Sequence, residues 1–220
     1  MSRTALVAGA SGLVGGQLLQ LLLADAGYTR VVTLARRQLA ARHPKLEQRI
    51  VDFGSIDALS NLPNADDVFC CLGTTIKTAG SQESFRKVDY DYVLGLARAG
   101  QGARAAQFLL VSALGADPAS RIFYSRVKGE IEAAVRRLPY QGIQIFRPSF
   151  LMGDRAQVRL AERLAVPLAR AVAPLLVGPL RRYRPIQAAD VARAMVQIAK
   201  EAPRGPNVFE YDGIIAAARS

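Results

Sequence analysis

Tyr124 and Lys128 stand four residues apart in the run Tyr124-Ser125-Arg126-Val127-Lys128. On a helix that spacing puts two side chains on one face, with Cβ atoms about 5–6 Å apart. An ammonium so close stabilises a phenolate, and so makes a tyrosine a usable proton donor or acceptor near neutral pH. Upstream, Ser112 follows the apolar run Gln107–Val111. A serine at the carboxyl end of a strand in an open α/β sheet lies on the side where ligands bind. A second group of residues has binding chemistry. Gly9, Gly12 and Gly15 are spaced GxxGxxG, interleaved with Ser11, Leu13 and Val14. Gly9 permits a tight turn, Gly12 lets backbone approach a pyrophosphate, and Gly15 lets a helix pack on a strand. The N–H groups of this turn, from Ser11 to Gly15, then face the phosphates.

These residues need particular elements around them. Ala5–Ala8 is a short apolar run closed by glycine, as in a strand buried on both faces. Gly15, Leu18, Leu19 and Leu22 fall at helical spacing, so a helix starts inside the glycine run and ends with Gly27 as its C-cap. Further strands are expected at Val31–Ala35, Arg49–Phe53, Asp67–Leu72, Gln107–Val111 and Asn207–Tyr211. Ser81 opens a long helix reaching about Ala99, Tyr124 and Lys128 lie on another, and Val191–Ala199 makes a further one. Strand alternating with helix predicts an α/β fold, a doubly wound parallel sheet of Rossmann type, as one domain over residues 1–220.

The strand ends carry the remaining cofactor residues. A dinucleotide fold that takes NAD carries an acidic residue about 20 residues past the glycine turn, on the ribose hydroxyls. Here the strand ends at Ala35 without a carboxylate, and Arg36 and Arg37 follow. Arginine there pairs with a 2′-phosphate, so NADP is the expected cofactor; the alternative is two solvated arginines. Asp52 and Phe53 are placed to meet an adenine, or else Asp52 is a turn aspartate. Leu72, Gly73 and Thr74 let backbone lie close to the nicotinamide half.

The chain has 220 residues, half of them hydrophobic, and a formal net charge of +11. The excess is mostly arginine, suited to a cofactor phosphate or an acidic substrate. Basic blocks interleaved with aromatics are absent, which argues against nucleic acid. No apolar run is long enough to span a membrane. The first strand starts by residue 4, leaving no room for a leader, and Cys70 and Cys71 are adjacent with side chains on opposite faces. A reducing cytoplasm is therefore expected. His43 is the only histidine and reads as surface, so no metal site is expected. Around Arg155, Arg159 and Arg163, arginines face Leu160, Leu164, Leu168 and Leu175, with Pro167 as a break. That pattern suits a helix flanking a substrate cleft, or one lying on a membrane surface.

Taken together the residues resemble the short-chain dehydrogenase/reductase superfamily over nearly the whole chain. The glycine spacing, Arg147–Gly153 (RPSFLMG) and Pro185–Ala192 (PIQAADVA) point to its extended and atypical branches. The chain is most similar to the Tat-interacting-protein-like oxidoreductases, which share CCLGTT, the VDxDYV segment at Val88–Val93, and YSRVKGExE at Tyr124–Glu132. The resemblance implies a seven-strand-type sheet and a catalytic Ser112, Tyr124 and Lys128. Hydride would pass between NADP and a small carbonyl or alcohol. Ser112 would orient the carbonyl oxygen, Tyr124 exchange its proton, Lys128 hold the ribose, and the backbone around Pro148 meet the nicotinamide amide. It also implies a homodimer through helices 81–99 and 124–138. Two features depart from the family: Asp89 stands where most relatives have asparagine, and the short C-terminal part leaves a small substrate side at about 154–185. They keep a second function open, an NADPH-binding regulator of the same fold that reports through a protein partner.

Overall fold

Successive side chains of a strand point to opposite faces of its sheet, and this chain buries both. Ala5 and Val7 enter one apolar layer with Val31, Phe69, Leu109 and Phe146. Leu6 and Ala8 enter the other with Val32, Leu34, Val68, Cys70, Phe108 and Leu110. The computed structural model, which describes residues 2–55, 59, 61–153 and 177–220, shows the elements that carry them. They run β1 (Arg3–Ala8), α1 (Leu13–Ala24), β2 (Tyr28–Ala35), β3 (Leu46–Ile50), β4 (Asp67–Cys70), α2 (Ile76–Ala79) and α3 (Gln82–Arg86). A π-helical turn, Lys87–Asp91, joins α3 to α4 (Tyr92–Gly102). There follow β5 (Gln107–Val111), α5 (Phe123–Val135), β6 (Gly142–Phe146), β7 (Leu151–Met152), a 3-10 helix (Gly178–Tyr183) and β8 (Ile186–Gln187). The chain closes with α6 (Ala188–Glu201), β9 (Gly205–Phe209) and α7 (Tyr211–Arg219).

Seven strands form one parallel sheet in the order β3-β2-β1-β4-β5-β6-β9, the doubly wound arrangement expected. α1, α6 and α7 cover one face and α4 and α5 the other. The order reverses between β1 and β4, which creates a crevice at their carboxyl ends. At the opposite end a polar cluster ties strands together: buried Asp67 accepts from Arg3 at 2.6 Å, Tyr28 at 2.7 Å and Gln107 at 2.8 Å. β7 and β8 make a small separate pair that joins the RPSFLMG and PIQAADVA stretches.

Several boundaries differ from expectation, each for a local reason. α1 ends at Ala24, and Gly27 is no C-cap; its N–H donates to Asp25 Oδ1 at 2.7 Å in the turn before β2, which starts already at Tyr28. β3 is Leu46–Ile50 rather than Arg49–Phe53, because Asp52 turns the chain by accepting from Gly54 N–H at 2.9 Å. β4 stops at Cys70. Ser81 does cap a helix, accepting from Ser84 N–H at 3.0 Å, but the π turn interrupts it. The last strand is Gly205–Phe209, and Tyr211 already begins α7. The arginine-rich stretch with Arg155, Arg159, Arg163 and Pro167 lies outside the described residues.

Candidate active site

The glycine turn sits at the crevice. Gly9 has a φ of +84°, a conformation that L side chains rarely adopt, and a Cβ there would lie 2.4 Å from the Cys71 carbonyl oxygen. The turn after β1 therefore touches the chain leaving β4. A Cβ on Gly15 would lie 2.1 Å from the Gly9 oxygen, so that glycine lets α1 pack on its own turn. Gly12 differs: its Cβ would meet only the Gly9 oxygen, at 3.2 Å, and the rest of its surroundings are open. Gly12 is the N-cap of α1, with no side-chain cap and no acidic residue in the first turn. The first N–H groups of a helix have no partner within it and carry the positive end of its dipole. This cradle fits a pyrophosphate.

Ser11 and Arg36 and Arg37 are exposed, whereas Val14 is buried under the turn and Leu13 half-buried. Neither arginine forms an ion pair or hydrogen bond with the described residues. Both follow β2, beside the sheet end that carries the turn. Asp52 is exposed, while Phe53 is buried and stacked on Tyr92 with centroids 5.9 Å apart. Leu72, Gly73 and Thr74 continue the chain past β4, and a Cβ on Gly73 would lie 3.4 Å from Asp89 Oδ1 and 3.7 Å from Lys128 Nζ.

Tyr124 and Lys128 are on α5 as expected. The Tyr124 ring packs 5.4 Å from Phe85. Lys128 is almost fully buried and pairs with Asp89 Oδ1 at 2.7 Å; Asp89 is itself fully buried and takes the Thr74 N–H at 2.9 Å through its other oxygen. Burial acts to lower the Lys128 pKa, but the charges of Asp89 and Tyr124 outweigh it and the net shift is upward. Asp89 thus grips the lysine directly. It reaches it from the π turn, a feature that recurs at functional sites and that the sequence reading missed. Cys70, beside this pair, is inert: burial pushes its thiol up to about 12.

Ser112 is placed differently from the resemblance. Its Oγ donates to Glu132 Oε1 at 2.6 Å, with both residues buried. Glu132, the last residue of the YSRVKGExE stretch, also accepts from Arg147 Nε at 3.0 Å and Nη2 at 2.6 Å, and this charge-assisted pair raises the Arg147 pKa. A cavity of about 560 Å³ opens beside α5, a volume ordinary for a small-molecule site. Its wall takes Ala113–Gly115 from the loop after β5, Tyr124 from α5, Arg147–Phe150 after β6, and Arg182, Tyr183 and Glu210. Ala113 is on that wall, and Pro148 with it; Ser112 is not. Glu132 and Arg147 each lie in a stretch that carries the resemblance, YSRVKGExE and RPSFLMG, but nothing along the chain signals that they pair. Among the described residues no cluster of metal-ligating side chains occurs.

A parallel sheet with a glycine-turn phosphate cradle at its switch point, and a tyrosine–lysine helix over a cavity, defines a nucleotide-dependent α/β class. The family model described as the NAD dependent epimerase/dehydratase family matches residues 5–210, and the chain belongs to that family. It is 37% identical over 168 residues to Protein HTATIP2 of Rattus norvegicus, covering 74% of this chain and 69% of that one. It is 32% identical over 221 residues to "Protein FMP52, mitochondrial" of Coccidioides immitis, covering 93% and 88%. These relatives bear out the Tat-interacting-protein-like resemblance. The crystal structure of human epimerase family protein SDR39U1 (isoform 2) with NADPH shares the fold at a TM-score of 0.65 and 19% identity, covering 94% of this chain and 74% of that one.

Proposed function

We propose that the protein is an NADP-dependent oxidoreductase acting on a small carbonyl or alcohol. The observation that carries this reading is Tyr124 on the wall of a cavity, one helical turn from a buried, carboxylate-held Lys128. NADPH, when bound, supplies the hydride for the carbonyl carbon. Ser11 to Gly15 at the head of α1 would hold its pyrophosphate, Arg36 and Arg37 its 2′-phosphate, and Asp52 and Phe53 its adenine. Leu72, Gly73, Thr74 and Pro148 would border its nicotinamide half, and Lys128 its ribose. NADP over NAD rests on the two arginines, which make no ion pair or hydrogen bond with the described residues. Tyr124 moves the proton at the substrate oxygen. Lys128 keeps a positive charge beside the phenol, and its three N–H donors leave room for a ribose contact besides Asp89. A cytoplasmic location is part of this reading, in keeping with two cysteines that are free rather than paired; the Coccidioides immitis relative is named as mitochondrial, and cell fractionation decides.

NADPH oxidation with a panel of aldehydes and ketones tests the reading. Tyr124→Phe should leave NADPH affinity nearly intact and lower turnover by the ~10²–10⁴ that general acid–base chemistry contributes. Turnover unchanged by Tyr124→Phe would refute the mechanism. One observation favours the second reading, an NADPH-binding regulator: Ser112 is not on the cavity wall. A wild type that binds NADPH and reduces nothing in the panel supports that reading.

A further inference from the structure

We propose that Ser112 is a positioning residue rather than a group that touches substrate, that Ala113, on the same cavity wall as Tyr124, brings no hydroxyl to it while Ser149 on that wall gives its own O–H to the Arg184 carbonyl oxygen, and that the preferred substrates are therefore electron-poor aldehydes and ketones. The proposal rests on the oxidoreductase reading above. A serine has one O–H to donate. Ser112 gives it to Glu132 Oε1 at 2.6 Å, with Ser112 6% and Glu132 2% exposed. A carboxylate is a stronger acceptor than a neutral carbonyl, so a substrate oxygen does not take that proton. The same carboxylate grips Arg147, and Arg147 and Pro148 form part of the cavity wall. Ser112 thus completes the set of donors around Glu132 that fixes this wall. Just past the end of β5 the two neighbours take different surroundings, Ser112 bonding Glu132 on α5 and Ala113 lining the cavity.

A hydride from NADPH bonds to the carbonyl carbon, the C=O π pair moves to oxygen, and the Tyr124 proton bonds to that oxygen, giving an alcohol and NADP⁺. Charge developing on the oxygen meets Tyr124 without a serine donor, since Ser112 gives its proton to Glu132 and Ser149 gives its own to the Arg184 carbonyl oxygen. Removing one such donor typically lowers rates about 10²–10³-fold. The loss is smaller when the substrate's own substituents withdraw electrons, because they already disperse that charge.

The test compares wild type, Ser112→Ala and Ala113→Ser in NADPH oxidation with acetophenone and with trifluoroacetophenone, alongside thermal melts with and without NADPH. Wild type should favour the fluorinated ketone. Ser112→Ala should lower the melting temperature by about 3–10 °C through loss of a buried charge-assisted bond. Its KM should rise as the Arg147 wall loosens, while kcat stays within about twofold of wild type, whereas loss of an oxygen donor would lower kcat. Ala113→Ser should raise kcat/KM for acetophenone by about tenfold or more, and for the fluorinated ketone by less. Ser112→Ala with an unchanged melt and a kcat lowered about 10²-fold would overturn the proposal. So would a folded Ala113→Ser that gains nothing on acetophenone while wild type reduces the fluorinated ketone. If every variant binds NADPH and none reduces either ketone, the oxidoreductase reading and the substrate preference fail together, while an unchanged Ser112→Ala melt separately overturns the positioning role.

Discussion

Lys128 is held by one carboxylate, and that contact decides how the reactive end of α5 answers pH. Asp89 and Lys128 lie 2.7 Å apart in the interior, closed over by Gly73 and Thr74. Replacing the carboxylate by an amide leaves the burial of the ammonium unopposed by its main counter-charge, so the lysine pKa drops. Asp89→Asn should therefore bind NADPH as wild type does near pH 6 and lose affinity as pH rises between about 7 and 10, whereas wild type stays flat over that span. Fluorescence titration across pH reads this, and superimposable profiles would mean that Asp89 does not hold the charge. In the folded protein the Lys128 pKa lies above its ordinary value, because the charges of Asp89 and Tyr124 outweigh burial. Lys128's contribution is complete below its ordinary value of 10.5 and is lost as pH rises through its higher folded-state value. Alkaline unfolding should accordingly begin at lower pH in Asp89→Asn, measured by circular dichroism.

At the scale of elements, the start of α1 separates binding from folding. Gly12 and Gly15 look alike in the GxxGxxG run, yet a Cβ would meet one carbonyl oxygen at 3.2 Å on Gly12 and 2.1 Å on Gly15. Gly12 has a φ of −84°, open to any residue, so a valine there needs only a small shift of the turn and projects where a pyrophosphate must come. Gly12→Val should fold with a melting temperature within about 5 °C of wild type and lose NADPH binding in calorimetry. Gly15→Val should instead damage the packing of α1 on β1 and lower the melt by clearly more. If both variants fell equally in stability and Gly12→Val still bound cofactor, α1 would not be the phosphate site. The π turn between α3 and α4 acts at the same scale. It adds a residue to the helical path and brings Asp89 under Gly73, against Lys128.

For the whole molecule, the sheet order puts the residues proposed for the cofactor at one end. Gly9 after β1, Arg36 after β2, Asp52 after β3 and Gly73 after β4 all follow parallel strands and so share the carboxyl edge, where Ala113 after β5 lines the cavity. The opposite edge holds Asp67 with Arg3, Tyr28 and Gln107, which secures strands rather than a ligand. Arg36 and Arg37 bring exposed positive charge to the ligand edge, one bonded phosphate contact there being worth about 1.5–3 kcal/mol. The Arg36→Asp, Arg37→Ala double variant should lose its preference for NADPH over NADH by tenfold or more, about 1.4 kcal/mol, in isothermal titration of both cofactors. An unchanged ratio would place the 2′-phosphate elsewhere or return the protein to NAD.

The local rules in the sequence determined the elements and the cofactor edge. An apolar run closed by glycine, a leucine stripe at helical spacing and a Tyr-x-x-x-Lys helix need only neighbours within a few residues, and each formed where its pattern lay. Boundaries slipped where a short-range side-chain bond competed, as with Asp25 before β2 and Asp52 after β3. What the fold alone decided was which side chain each functional group faces. Ser112 follows a strand and reads as a ligand contact, but Glu132, 20 positions on, takes its proton. Asp89 reads as an asparagine replaced, but the π turn makes it the direct partner of Lys128. Both outcomes depend on contacts between distant segments buried together, where the desolvated carboxylate selects its donors by proximity and charge, and no periodicity along the chain encodes that choice.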